Sequence, residues 1–302
     1  MNKYLSLLIS LYFMPFPIVL GTDTTPNNAE EKSKMIKLFS SVVKKNSKNK
    51  KTSAQKSNKK ADLAEIKFFL NSIKKLNVNM KAIEYGDYVS GCELVSIVNL
   101  LNHYGYNTNL DEFYKNFFEQ KDWYIIDNVI YAPDPNLIYP GDPKIEKGDN
   151  CGFGCFGKAV EKSINNFFDS IKNSKSNFYN KYDIKHKVVF EANANKDRIR
   201  ELLNKKTPVI IWSTQAGKKS ENGLYDMRKS GGPGDSWIIT SPEESKGKSY
   251  TWLRGEHCSV IYDHDESSYS VCDPFRKNIK IKKDSLDKSR ELFGNQIVYL
   301  TT

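Results

Sequence analysis

The sequence of 302 residues predicts an α+β fold, because helical patterns dominate its first half and strand patterns its second half. Helical spacing of apolar residues indicates helices at residues 63–76, 91–104, 110–118, 157–171 and 197–204. Continuous or alternating apolar runs indicate strands at residues 186–192, 208–212, 258–262, 269–272 and 278–281. Two segments rich in proline and glycine, 123–150 and 217–247, are predicted as loops.

The helix at 91–104 is predicted to be the buried centre of the domain. Apolar residues at positions 94, 95, 97, 98, 100 and 101 cover more than half of its circumference. Ser90 and Glu93 have the spacing of a capping box, and Gly105 is suited to end the helix. Cys92 therefore falls in the first turn, where free N–H groups and the helix dipole favour a thiolate. This position predicts a lowered pKa for the Cys92 thiol.

The net charge of +10 arises in one segment of the chain. Between Lys32 and Lys60 there are 11 lysines and no acidic residue. Of the 46 basic and 36 acidic side chains, 12 and 3 precede residue 61, which leaves 34 and 33 for residues 61–302. A nearly neutral domain does not predict a nucleic-acid-binding surface. The 39% hydrophobic and 12% aromatic content suffices for the core of an ordinary domain and excludes disorder throughout.

The N terminus predicts a secreted or cell-surface protein. Residues 1–21 combine a basic start, an apolar stretch and small residues suited to cleavage after Gly21, which is typical of a signal peptide. The alternative is an uncleaved N-terminal membrane anchor, for which the stretch is short and contains two prolines. Residues 22–61 predict a Lys-rich disordered linker, and residues 62–302 the folded domain. The linker is either a solvated spacer or a segment that contacts anionic cell-surface polymers.

The five cysteines predict at least one thiol without a partner in the same chain. Cys92 is the candidate, because its position suits a nucleophile; the alternative is a buried structural cysteine. The pairing of the other four is left open between disulfides, unpaired thiols and, on weak CxxxC spacing, a four-thiolate zinc site. These four are Cys151, Cys155, Cys258 and Cys272. No cofactor or catalytic-metal motif is recognised, so we expect neither to be needed.

A thiol nucleophile needs a base, and His257 is the candidate because it stands at the start of a predicted strand, from which its ring could reach a cleft. Imidazole exchanges protons near neutral pH, so it can accept the thiol proton and return it to a leaving amine. Asp273 ends the predicted partner strand, where its carboxylate can orient the ring. His264, in the predicted hairpin turn, is the second candidate for the base.

Several segments between Lys81 and Pro274 resemble, in order, the family-39 cysteine peptidases, which include the double-glycine leader peptidases, and in particular their stand-alone relatives. The segments are SGCELVS at 90–96 with NHYG at 102–105, YPGDP at 139–143, PVIIW at 208–212, GEHC at 255–258 and DP at 273–274. Each is weak alone, but together and in register they are fairly specific.

The resemblance implies a papain-like fold in which Cys92 is the nucleophile on a central helix, His257 the general base and Asp273 the orienting residue, with no metal in catalysis. Family members usually have a glutamine shortly before the cysteine that helps to form the oxyanion hole. Residues 80–91 contain none. The backbone N–H of Cys92 and the hydroxyl of Tyr85 are therefore the candidate donors.

These observations favour a secreted cysteine peptidase that cleaves peptide or protein substrates with the three candidate residues. Two alternatives remain open. One is an acyl or amide transferase that uses the same residues. The other is a non-catalytic secreted binding module, which the missing glutamine favours and the intact cysteine, histidine and aspartate disfavour.

Overall fold

The computed structural model describes residues 80–83, 85–173, 185–229, 236–241 and 248–302, without the side chains of Trp237, Ser241 and Lys248. All of these residues belong to the compact unit Ile73–Thr302. The predicted signal peptide at 1–21, the predicted linker at 22–61, the predicted helix at 63–76 and the predicted domain boundary lie outside the described residues.

Five helices lie in the described part of the chain. They are α1 (Cys92–His103), α2 (Leu110–Phe117), α3 (Gly157–Asn173), α4 (Lys196–Asn204) and α5 (Lys283–Glu291). The first four lie where the apolar spacing predicts them. Asn109 caps α2 by accepting the N–H of Glu112 at 2.8 Å, and Gly105, with φ of +86°, follows the last turn of α1. None of the described helices is long and apolar enough to cross a membrane.

Fourteen strands are described. The first seven are β1 (Gln120–Lys121), β2 (Tyr124–Ile126), β3 (Val129–Tyr131), β4 (Tyr139–Pro140), β5 (Lys187–Glu191), β6 (Val209–Thr214) and β7 (Ala216–Lys219). The others are β8 (Tyr225–Met227), β9 (Ser236–Ser241), β10 (Lys248–Leu253), β11 (Glu256–His264), β12 (Ser268–Asp273), β13 (Lys277–Lys282) and β14 (Ile297–Thr301).

The largest sheet has eight strands in the order β5-β14-β6-β11-β12-β13-β8-β7 and is antiparallel except between β13 and β8. β11 and β12 form the predicted hairpin, with Val260 opposite Cys272. β6 flanks β11 on its other side, with His257 opposite Ser213. Every residue of β6 is buried, as its continuous apolar run predicts.

Two hydrophobic clusters cover opposite faces of this sheet. Helices α1, α2 and α3 pack on one face, and Cys258, Val260 and Tyr262 of β11 point into that cluster. Ile261 points to the other face, where α4 and α5 pack. Side chains alternate between the faces of a strand, which explains this division. β11 is therefore a central strand with α1 packed against it.

The predicted loops at 123–150 and 217–247 contain strands, so this expectation is wrong in part. Asp127 and Asn128, both with positive φ, join β2 and β3 in a two-residue hairpin turn. With β9 and β10 these strands form a four-stranded sheet, and β1 pairs with β4. Strands of two or three residues, such as β2, β3 and β4, carry little periodicity. No sequence pattern predicted β10, β14 or α5.

The packing of α1 on the sheet predicts the effect of a cavity in its core face. Ile97 is fully buried, so Ile97→Ala should lower the free energy of unfolding by about 3 kcal/mol. Ile125 is 54% exposed, and Ile125→Ala should change it by less than about 0.5 kcal/mol. Chemical denaturation measures both variants. Equal effects of the two would contradict the assignment of the core face.

Candidate active site

Cys92 is the first residue of α1 and is almost completely buried, with 6% of its surface exposed. The predicted capping box is wrong, because Gly91 is the N-cap and no side chain caps the helix. Ser90 instead donates its hydroxyl to the carbonyl oxygen of Ile145 at 3.0 Å. The Glu93 side chain turns toward Cys92 and the loop before α3. Long-range partners have thus displaced the local capping interaction.

The YPGDP segment supports the turn that precedes Cys92. The Tyr139 hydroxyl donates to the carbonyl oxygen of Ser90 at 2.6 Å, and the Ser90 N–H donates to the carbonyl oxygen of Pro143 at 2.9 Å. Gly141 has φ of +84°, and a Cβ there would lie 2.2 Å from the carbonyl oxygen of Cys151. The segment therefore positions the start of α1 through backbone contacts.

The Cys92 thiol donates a hydrogen bond to Oε2 of Glu93 at 3.3 Å. Burial raises the pKa of this thiol well above its usual value, and the carboxyl groups of Glu93 and Glu256 act in the same direction. The predicted lowering of the pKa is therefore wrong for this arrangement. Desolvation and two acidic neighbours outweigh the helix terminus. The backbone N–H of Cys258 has the opposite effect on the thiol pKa, which indicates that this part of β11 lies beside the sulfur.

His257 and Asp273 form a buried pair where β11 begins and β12 ends. Nε2 of His257 lies 2.9 Å from Oδ2 of Asp273, and the two side chains are 2% and 3% exposed. The β11–β12 hairpin thus brings His257 and Asp273 together, as their positions in the sequence predict. The catalytic role of the pair stays a prediction.

The other oxygen of Asp273 holds a tight turn. Oδ1 accepts the backbone N–H groups of Phe275 and Arg276 at 2.8 and 2.9 Å. Burial by itself raises the pKa of Asp273, but His257 and these N–H groups outweigh it, so the pKa lies below its usual value. Asp273 is therefore a fixed anion beside the imidazole.

Cys92 and His257 are not hydrogen-bonded to each other in the described residues. Cys258 points into the cluster that contains Cys92, and His257 is the preceding residue of β11. By the alternation of a strand, the two neighbouring side chains leave β11 on opposite sides. The structure thus places His257 next to the strand segment that touches the sulfur, while the thiol itself is turned to Glu93.

Tyr85 is connected to His257 through Phe275. Its ring stacks on Phe275 with centroids 4.4 Å apart, and Phe275 stacks on His257 at 5.3 Å. Burial raises the pKa of the Tyr85 phenol, and the nearby Cys92, Glu93 and Asp273 raise it further. The residue predicted as a second oxyanion donor is therefore adjacent to both Cys92 and Asp273.

A cleft of about 340 Å³ opens on His257 and Asp273. Its other lining residues are Gln215, Ala216, Arg228, Phe275 and Arg276. Cys92 does not line this cleft. Gln215 and Arg228, which are hydrogen-bonded to each other at 2.8 Å, were not predicted from the sequence. They come from a strand junction and a predicted loop, so no local motif could identify them.

All five cysteines are unpaired. Cys155, Cys258 and Cys272 are buried and Cys151 is partly buried. Disulfides and a four-thiolate cluster are both absent among these four described residues. Burial raises the pKa of Cys272 to about 12. Among the described residues, the thiol that lies in a cluster with other acidic groups is that of Cys92, beside the carboxyl groups of Glu93 and Glu256.

The α+β fold is shared with a solved structure from Bacillus anthracis that is described as a C39-like peptidase. The TM-score is 0.54 at 15% sequence identity, and the match covers 74% of this chain and 95% of that chain. At this identity the similarity shows the fold. The predicted α+β class is confirmed.

The family follows from the sequence match. The chain matches the Peptidase_C39 like family over residues 73–299 and therefore belongs to it. This confirms the resemblance that the short motifs indicate. No curated protein matches the sequence.

The His257–Asp273 pair predicts a pH-dependent contribution to stability. Asp273→Ala leaves a buried histidine without its anion and should cost about 3 kcal/mol, whereas Asp273→Asn retains hydrogen-bonding capacity and should cost about 1 kcal/mol. Because the pKa of folded Asp273 is lowered, its contribution is complete above the unfolded value of about 3.9. It is lost as the pH falls through the lower, folded value.

Denaturation curves between neutral pH and pH 3 test this prediction. Asp226, which pairs with Lys282 and is 49% exposed, provides a control. Asp226→Ala should cost less than about 0.5 kcal/mol. A destabilisation by Asp273→Ala that is as small as the control, or that grows toward acidic pH, would contradict the proposed linkage.

Proposed function

We propose that the protein is a secreted cysteine peptidase in which Cys92 is the nucleophile, His257 the general base and Asp273 the orienting residue. Membership of the Peptidase_C39 like family supports peptide or protein substrates. One observation supports the triad most directly. His257, which is paired with Asp273, immediately precedes Cys258 in β11, and the backbone of Cys258 lies beside the Cys92 sulfur. A papain-like reaction fits this placement.

Proton transfer in this reaction uses Nδ1 of His257, because Nε2 is occupied by Asp273. The Cys92 thiol breaks its hydrogen bond to Glu93 and passes its proton to Nδ1, which produces a thiolate and an imidazolium. The thiolate attacks the peptide carbonyl carbon, and the imidazolium returns the proton to the leaving amine. Water then hydrolyses the thioester with His257 as base, and the thiol is restored.

The oxyanion that forms on the carbonyl oxygen needs donors. The first N–H groups of a helix have no acceptor within the helix, so the Cys92 N–H is available as one donor. The Tyr85 hydroxyl is the second, and its burial beside Cys92 supports this role. It would replace the glutamine that residues 80–91 lack.

Hydrolysis of a peptide library by the purified protein tests the proposal. Cys92→Ala and His257→Ala should each lower kcat/KM on the order of 10⁴-fold or more, since the two groups act as a unit. Asp273→Ala should lower it less, because the residue orients the base rather than reacting. Mass spectrometry identifies the cleaved bonds, and assays with added amines detect transfer to a nucleophile other than water.

Tyr85→Phe provides a matched test of the oxyanion donor, because it keeps the ring stacked on Phe275 and removes the hydroxyl. We expect a loss of about 100-fold in kcat with little change in KM. Activity that survives Cys92→Ala would overturn the triad. Ligand binding without turnover, unaffected by Cys92→Ala, would instead identify a non-catalytic binding module.

Secretion belongs to the same proposal and is tested separately. Expression of the full sequence in a secreting host should release a protein that begins at Thr22, because residues 1–21 have the pattern of a cleavable signal peptide. N-terminal sequencing of the released protein measures this. A protein that stays in the membrane fraction with Met1 intact would indicate an N-terminal anchor.

A further inference from the structure

Three acidic side-chain groups meet at the start of α1. The sulfur of Cys92 and one carboxyl oxygen each from Glu93 and Glu256 all lie within 4.8 Å of one another. Glu93 belongs to the first turn of α1, and Glu256 is the first residue of β11. The peptidase reaction described above uses Cys92 but assigns no role to either carboxyl group.

The two carboxyl groups have different hydrogen-bonding environments. Both oxygens of Glu93 accept hydrogen bonds, Oε1 from the Cys155 N–H at 2.7 Å and Oε2 from the Cys92 thiol at 3.3 Å. Acceptance at both oxygens, together with a position in the first turn of a helix, favours an ionised carboxylate. By contrast, Oε1 of Glu256 is buried with no hydrogen-bond partner among the described residues, which an ionised group would not tolerate.

The loop before α3 approaches both carboxyl groups closely at Gly154. Gly154 has φ of +112°, and a Cβ there would lie 2.5 Å from Oε1 of Glu93 and 2.8 Å from Oε2 of Glu256. Only glycine leaves room for both carboxyl groups and lets the next N–H, that of Cys155, reach Glu93. The contact between the two acids is therefore built into the backbone of the loop.

We propose that Glu93 is a positioning residue that holds Cys92 as an un-ionised thiol in the resting protein, while Glu256 stays protonated beside it. The three groups then carry one negative charge, which resides on Glu93 at the N terminus of α1. Two ionised carboxylates at this distance in a buried site would repel each other strongly. In agreement with this, burial raises the pKa of Glu256 well above its usual value. Burial raises the pKa of Glu93 only to about 7, because the hydrogen bonds from the Cys155 N–H and the Cys92 thiol favour its ionised form.

The other titratable groups around Glu93 do not supply a permanent countercharge. These groups are Tyr85 from the segment before α1, Tyr139 from the YPGDP segment, Cys155 from the loop before α3, and Cys258 from β11. His257 is the base whose charge stabilises ionised Glu93. When Cys92 breaks its hydrogen bond to Glu93 and passes the proton to His257, the imidazolium that forms stabilises the ionised Glu93 left behind. This connects the resting state to the proposed reaction.

The rate of Cys92 alkylation as a function of pH tests the positioning role without any substrate. Glu93→Gln keeps the size of the side chain and removes its charge. We expect the midpoint of Cys92 alkylation by iodoacetamide to fall by about one pH unit, with a rise of about tenfold in rate at pH 7.5. Site-resolved mass spectrometry separates Cys92 from the other cysteines, and Cys151 serves as an internal reference.

Glu201→Gln is the matched control, because Glu201 is an exposed residue of α4. This variant should leave the midpoint unchanged. Glu256→Gln should shift it less than Glu93→Gln, since it replaces a group that is already neutral. An unchanged midpoint in Glu93→Gln, or an equal shift in the control, would overturn the positioning role.

Infrared difference spectroscopy between the wild type and Glu256→Gln tests the protonated carboxyl group directly. We expect the band of a protonated carboxyl at pH 7 in the wild type and its loss in the variant. If the wild type lacks this band, the proposal that Glu256 is protonated is wrong. This result does not depend on whether Glu93→Gln folds, because the measurement does not use that variant. Both measurements are independent of turnover, so they stand or fall separately from the peptidase function.

The consequence for catalysis rests on the proposed peptidase activity. If Cys92 must leave Glu93 before it reacts, Glu93→Gln should move the rise of kcat with pH about one unit toward acid and leave KM unchanged. A merely structural role would lower kcat at every pH without moving the profile. A peptidase with a shifted alkylation midpoint but an unshifted kcat profile would show that release from Glu93 does not limit the reaction.

Discussion

The packing of α1 against β11 is the contact on which the candidate site depends. It buries the first turn of the helix, and with it Cys92, at the place where the backbone of Cys258 passes. The same strand begins with Glu256 and His257. One packing contact therefore places both the acidic neighbour of the thiol and the candidate base. The raised pKa of the Cys92 thiol and its low exposure to solvent both follow from this contact.

Burial determines the protonation chemistry of the site. A cysteine in an exposed first turn would gain from the helix dipole and ionise readily. Here the thiol, Glu93 and Glu256 share a space with little water, where each additional negative charge is costly. The His257–Asp273 pair is also buried, but it combines a base with an acid and so keeps an anion stable. The two halves of the site therefore differ in the pKa of their acidic groups, which is raised at Cys92, Glu93 and Glu256 and lowered at Asp273.

Local patterns predicted those parts of the molecule whose structure depends on neighbouring residues in the chain. The apolar spacing after Ser90 indicated α1, the spacing at residues 110–118 indicated α2, and the turn between two apolar runs indicated the β11–β12 hairpin. The Asp127–Asn128 turn had a recognisable signal as well, since both residue types tolerate positive φ. The capping box failed because Ser90 and Glu93 found partners far away in sequence.

The sequence by itself determined the α+β class, the helix that carries Cys92, and the pairing of His257 with Asp273 across a hairpin. These features follow from periodicity and from short separations along the chain. Only the tertiary structure decided that Glu93 and Glu256 meet at the thiol, and that Gln215 and Arg228 line the cleft. Such contacts join residues far apart in the chain, and which distant residues meet is a property of the assembled fold that no local pattern encodes.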